Sequence, residues 1–205
     1  MDRRSSTTMS PATMARIAMI AALYGAATLF CMLFMGGLAW GPVQFRLSEA
    51  LCVLAFLTPD AIPGLALGCA VANGANIVLG GTGTLGLLDV VFGSAATAIG
   101  AWVMWRWRAR PSLAALGPVV ANGLIVPAYL PLLLAGLGFY TVPFTSISLE
   151  GAWPAMYLFG LVCTSVGEAV VMYVLGLPLY RALERTPLPA MLAGDTDPRP
   201  MGGTR

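Results

Sequence analysis

Charge is missing from long stretches of this chain, and that limits what it can fold into. No charged residue lies between Arg16 and Arg46 or from Pro111 to Leu149. Asp89 is the only charge between Asp60 and Arg106, and Glu168 the only one from Gly151 to Tyr180. A soluble domain carries about 25% charged residues, whereas this one has 10% against 58% hydrophobic. Folded in water, it would leave a largely apolar surface. A membrane-spanning helix needs about 20 apolar residues, and the charge-free runs are of that length. The expected fold is therefore an all-α membrane protein in a lipid bilayer.

Six spans fit the pattern: 14–35, 44–58, 60–80, 85–106, 113–137 and 152–180. The second is short, ended by Pro59, and reads as a tilted or partial crossing. The run from Ile17 exceeds the roughly 7–15 residue core of a signal peptide, so the first helix is expected to be retained. Arginines punctuate the spans at Arg3, Arg4 and Arg16, then Arg106, Arg108 and Arg110, then Arg181 and Arg185. With six spans all three clusters fall on one side, which the positive-inside rule makes cytoplasmic. Both termini are then inside. The expected organisation is a cytoplasmic tail at 1–13, a six-helix substrate-binding domain at 14–185, and a disordered Pro-rich cytoplasmic tail at 186–205.

Two missing residue types narrow the chemistry. There is no histidine, and all 11 basic residues are arginine. His-based catalysis and most zinc sites are excluded, as are a lysine Schiff base and a P-loop. If ATP drives this protein, another chain hydrolyses it. Cys31, Cys52, Cys69 and Cys163 form no C-x-x-C pair and read as buried thiols. No metal, cofactor or nucleic-acid partner is indicated, and no enzyme activity. A membrane enzyme acting on lipid or isoprenoid substrates would need a metal-ligand cluster or repeated Asp motif that the chain lacks.

Polar residues inside a bilayer are expensive, about 2.5–3.5 kcal/mol for a central Asp. Here they fall on definable helix faces. Gly86, Asp89, Gly93, Ala96 and Gly100 make one stripe; Gly160, Thr164, Glu168 and Met172 make a second. Cys69, Asn73, Asn76 and Gly80 form a third, and Pro118, Asn122, Ile125 and Tyr129 a fourth. Gln44, Arg46 and Glu49 lie at the start of the second span. Arg46 and Glu49 are three apart and can pair on a helix, and Gln44 or Ser48 can cap it. Arg46, Glu49, Asp89 and Glu168 sum to −2. The surplus carboxylates, assigned to Asp89 and Glu168, await a proton or a ligand bringing donors or positive charge. The candidate binding residues are Gln44, Arg46, Glu49, Asn73, Asn76, Asp89, Asn122 and Glu168. Trp40, Phe45, Phe139, Tyr140, Phe144 and Trp153 flank the outer loops, where they suit either a planar ligand or an interfacial aromatic belt. On the first span Ala18, Ala22 and Ala26 form a flat face suited to close helix contact, inside the chain or with another subunit.

Three stretches carry a family resemblance: Gly41-Pro42-Val43-Gln44-Phe45-Arg46-Leu47-Ser48-Glu49-Ala50, Gly86-Leu87-Leu88-Asp89-Val90-Val91-Phe92-Gly93-Ser94, and Gly167-Glu168 followed by Leu175-Gly176-Leu177-Pro178-Leu179. From about Ala15 to Arg185 the chain resembles the QueT family, the queuosine-precursor S-components of energy-coupling factor (ECF) transporters. It departs in a longer Gly-rich stretch at 80–84 and a longer third outer loop. The resemblance implies a six-helix subunit in a prokaryotic-type plasma membrane, binding a 7-deazaguanine precursor of queuosine, or queuine, from outside. It implies a coupling transmembrane subunit and two ATPase subunits as partners, docking on the alanine face. Gln44, Arg46, Glu49, Asp89 and Glu168 are the site positions carried over with the motifs. The chemistry is compatible: a guanine-like ring offers N1–H and N2–H₂ to one carboxylate and O6 to an Asn or Arg donor. The alternative is a stand-alone proton-coupled transporter of a small cationic or nucleobase-like solute, using Asp89 or Glu168.

Overall fold

The computed structural model describes residues 9–35, 45–134, 139–142 and 144–193. Five helices are long and apolar enough to cross a membrane: α1 (Pro11–Met35), α3 (Ala61–Leu79), α4 (Gly83–Arg106), α5 (Pro111–Leu133) and α6 (Trp153–Leu183). Between α1 and α3 lies α2 (Leu47–Phe56), a 3₁₀ helix of 10 residues. At about 2.0 Å per residue it reaches about 20 Å, short of the roughly 30 Å hydrocarbon core. The six expected spans thus become five long helices and one short rod. Leu188–Ala193, in the segment expected to be a disordered tail, forms a short helix, α7. Its Leu188 and Leu192 pack on the core, which gives this piece a reason to order.

The centre of the molecule is α2. Eight of its residues are buried, from Ser48 to Phe56, and α1, α3, α4 and α6 all contact it. Around it run successive neighbours, α1 on α3, α3 on α4, α4 on α5 and α5 on α6. Small residues set these approaches. A Cβ at Gly68 of α3 would lie 2.6 Å from the Ala21 carbonyl oxygen of α1. One at Gly100 of α4 would lie 2.7 Å from Pro118 Cα of α5, and one at Gly160 of α6 3.0 Å from Pro127 Cβ. In lipid, where apolar burial gives no drive for association, such close packing holds helices together.

The cores divide in two. The larger surrounds α2 and includes Tyr24, Leu65, Met104 and Met172. The smaller lies under the connection between α5 and α6, where Tyr140 packs with Val126, Leu130 and Met156. That connection folds back on itself: Leu149 N–H donates to the Tyr140 carbonyl at 2.8 Å and Val142 N–H to that of Ile147 at 2.9 Å. Phe144 turns the corner at φ 62°. At the opposite end, Arg16 of α1 meets Asp60, just before α3, at 2.6 Å, and Ser10 Oγ caps α1 by accepting from Thr13 N–H.

The candidate binding site

Every polar stripe expected from spacing turns inward, apart from Gly80 at an exposed helix end and a half-buried Ile125. Arg46, Glu49, Asp89 and Glu168 are all buried, at 6%, 2%, 4% and 6% exposure, as are Asn73, Asn76 and Asn122. Gln44 lies outside the described residues.

Asp89 is held from three sides. Arg46 sits at the N-cap of α2 in extended backbone conformation, and its Nη2 lies 3.6 Å from Asp89 Oδ2. The Tyr129 hydroxyl of α5 donates to Asp89 Oδ1 at 2.6 Å. Asn73 Nδ2 of α3 donates to the Asp89 backbone carbonyl at 2.8 Å. Gly93 leaves room for this junction: a Cβ there would stand 2.9 Å from Asn73 Nδ2 and 3.0 Å from Asp89 Oδ1. The backbone is irregular here, with a π-helical segment from Asp89 to Gly93. A second π segment, Val171–Gly176, begins three residues after Glu168. π turns inside α-helices are often found at functional sites.

Glu49 has different partners from those expected. Its Oε1 accepts from the Tyr24 hydroxyl of α1 and its Oε2 from the Cys52 thiol at 3.3 Å. Arg46, which spacing set beside Glu49, stays within its electrostatic reach and also pairs with Asp89, so Asp89 is not one of the uncompensated acids. Ser48, expected as a cap, lies inside α2 with its Oγ 2.7 Å from the Thr28 hydroxyl of α1; the N-cap position falls on Arg46 and makes no side-chain cap.

Glu168 lies within electrostatic reach of Glu49, Arg46 and the Asn122 amide. The four charges therefore form one buried cluster, three carboxylates against one guanidinium. A small cavity of about 40 Å³ opens beside it toward the 80–86 turn, lined by Asn73, Asn76, Thr82, Asp89 and the α5 residues Leu130 and Leu133. It has room for about one or two waters. Among the described residues no three His, Cys, Asp or Glu side chains group as a metal would need.

Sequence reasoning missed Tyr24 and Thr28, which tie α1 to the site through Glu49 and Ser48. The available signal was depth: tyrosine favours the membrane interface, and one in the middle of an apolar helix needs a buried acceptor. Ala18, Ala22 and Ala26 are exposed. The row that packs inside the chain is the adjacent one, Ala21 and Gly25, against Gly68.

No curated protein and no solved structure matches the chain. The family model described as QueT transporter matches residues 14–185, from within α1 to beyond the end of α6. A bundle of apolar helices around a buried cluster rich in carboxyl groups suits a membrane transporter, and by that match the chain belongs to the QueT transporter family.

Proposed function

We propose that the chain is the substrate-binding subunit of an ATP-driven ECF importer in the plasma membrane, taking up a 7-deazaguanine precursor of queuosine, or queuine, from outside. The observation that carries this reading is the buried cluster of Arg46, Glu49, Asp89 and Glu168, whose three carboxyl groups against one guanidinium suit a ligand rich in N–H donors. A guanine-like ring meets that need with N1–H and N2–H₂, and an aminomethyl substituent adds a cation. Asn73, Asn76 and Asn122 supply neutral donors and acceptors around it. Because the cavity holds only about 40 Å³, entry of a ring requires the outer ends of α3, α4 and α5 to separate. In this reading α2 completes a sixth, partial crossing and both termini face the cytoplasm. The exposed Ala18, Ala22 and Ala26 face docks the coupling subunit that carries two ATPase subunits.

The test is equilibrium binding of 7-deazaguanine and its 7-aminomethyl derivative to the purified chain, with thiamine as a cationic control. Saturable binding of the deazaguanines and not the control is expected. Absence of binding by either deazaguanine sinks the substrate assignment. Affinity purification from cells should bring ATPase subunits along; isolation of a chain that transports alone would favour proton coupling.

A further inference from the structure

The three buried carboxylates are not equivalent. Both oxygens of Asp89 are engaged, Oδ1 by Tyr129 and Oδ2 by Arg46. Both oxygens of Glu49 are engaged, by Tyr24 and Cys52. Glu168 differs: its Oε1 is buried with no hydrogen-bond partner within bonding distance, and the same holds for Nδ2 of Asn122, although the Asn122 amide lies near enough to act on the Glu168 carboxyl. Each residue is only 6% exposed. An unmade hydrogen bond on a buried group costs its full desolvation, so these two atoms, like Asn73 Oδ1 on α3, are places in the cluster where a ligand gains.

The helices bring the two atoms to one place. A Cβ at Gly123 of α5 would collide with Ser165 Oγ of α6, and Pro127 meets Gly160. That antiparallel register sets Asn122 level with residues 165–166, less than one helical turn from Glu168. The site thus presents a donor, Asn122 Nδ2, next to an anionic acceptor, Glu168 Oε1. Its complement is a ring edge with an acceptor beside a donor.

Two ring chemistries have such an edge: a lactam, with C=O beside N–H, and an amidine, with a bare ring nitrogen beside an amino group. A carboxylate gains most from the more acidic donor, because charge-assisted hydrogen bonds are the strong ones. The lactam ring N–H is more acidic than an aromatic amino group. We infer that Glu168 and Asn122 together read a lactam edge, Glu168 accepting from the ring N–H and Asn122 donating to the adjoining carbonyl. This rests on the proposed role of the cluster as the binding site and adds which ring edge faces which helices.

The test varies the ligand first, so that it does not depend on how variants fold. Purified full-length chain is titrated with 7-deazaguanine, 7-deazahypoxanthine, 1-methyl-7-deazaguanine and 7-deazaadenine. Both lactams should bind. The 1-methyl compound, which has lost the ring N–H, and the adenine analogue should bind at least tenfold more weakly. Glu168→Gln and Asn122→Asp should each weaken the two lactams tenfold or more. In Glu168→Gln the penalty for the 1-methyl compound should shrink, a change in ratio that a general loss of folding does not produce. If 7-deazaguanine binds and its 1-methyl form binds equally well, the edge assignment is overturned while the binding reading stands. Equal binding of 7-deazaadenine overturns it in favour of an amidine edge. If no deazapurine binds, the site reading itself fails and the assignment with it.

Discussion

Arg46 is the only cation among the described residues of the buried cluster, and that makes its removal different from removal of an acid. At 3.6 Å and an effective dielectric of 20, the attraction between Arg46 and Asp89 is about 5 kcal/mol before desolvation is charged against it. Arg46→Met leaves Glu49, Asp89 and Glu168 facing one another with no counter-charge. Removing one partner of a buried pair costs about 3–5 kcal/mol, and here three acids share the loss. Asp89→Asn is milder. Arg46 keeps Glu49 and Glu168 within electrostatic reach, and the new amide oxygen still accepts from Tyr129. What is lost is the Arg46 ion pair, offset by relief of repulsion between Asp89 and the other two acids, and the difference between a charge-assisted and a neutral hydrogen bond from Tyr129, about 1 kcal/mol. The double variant should cost at least about 1 kcal/mol less than the sum of the two, as groups in one network couple by roughly 0.5–3 kcal/mol. The assay is reversible unfolding in mixed micelles with rising SDS, followed by circular dichroism. The reasoning is refuted if Asp89→Asn costs as much as Arg46→Met, because Arg46 and Asp89 would then act as an isolated pair.

Gly93→Ala places a methyl against Asn73 Nδ2, Asp89 Oδ1 and, at 3.3 Å, the Tyr129 hydroxyl; it should cost about 1–3 kcal/mol in the same unfolding assay. Gly74→Ala in the interior of α3 meets nothing within 4 Å and should stabilise by about 0.5–1 kcal/mol; equal effects at the two glycines would discredit the close-packing account. Single cysteines at Gly81 and Ser146, with the four native cysteines replaced, should react with an impermeant maleimide on intact cells, and one at Ser112 only after permeabilisation. Labelling at Ser112 on intact cells would break the proposed orientation. Ala22→Trp should leave ligand binding to the isolated chain within twofold while abolishing co-purification with ATPase subunits and uptake. Loss of binding and uptake together would remove the docking role of that face.

The long helices and their inward faces were legible because both follow from one periodicity. Asp89, Gly93 and Ala96 on α4, and Thr164, Glu168 and Met172 on α6, were placed on buried stripes by counting threes and fours, and all are buried. Partner choice was not legible. Arg46 and Glu49 looked like a helical pair, but the i,i+3 argument needs both residues on the helix. Arg46 precedes it at φ −84°, ψ 101°, and from there its side chain reaches α4. The surplus of acid was assigned to Asp89 and Glu168, and the structure agrees for Glu168 but not for Asp89. Asp89 has its cation, and Glu168 is the carboxylate with an oxygen left over. On α1 the small residues suggested contact, but two adjacent rows of them offered two faces, and only three-dimensional packing distinguishes the row on α3 from the exposed one.

Nothing in the residue pattern marks the π segments, yet the site depends on the one in α4. A π turn trades i→i−4 bonds for longer ones, and in a bilayer any backbone group this loosens must be satisfied by protein. The structure shows two such compensations. The Asp89 carbonyl takes the Asn73 amide from α3 at 2.8 Å, and the Gly93 carbonyl takes the Thr97 hydroxyl one turn further along α4 at 3.1 Å. Asn73 therefore cannot be assigned wholly to ligand recognition. Its Nδ2 supports the backbone that aims Asp89 at Arg46 and Tyr129, and only its Oδ1 is left without a partner. Asn122 has no such duty on its donor side, since its Nδ2 is the unpartnered atom. Two asparagines that look alike as inward polar residues on apolar helices thus divide the work, one supporting the irregular helix that holds Asp89 and the other presenting a donor beside Glu168.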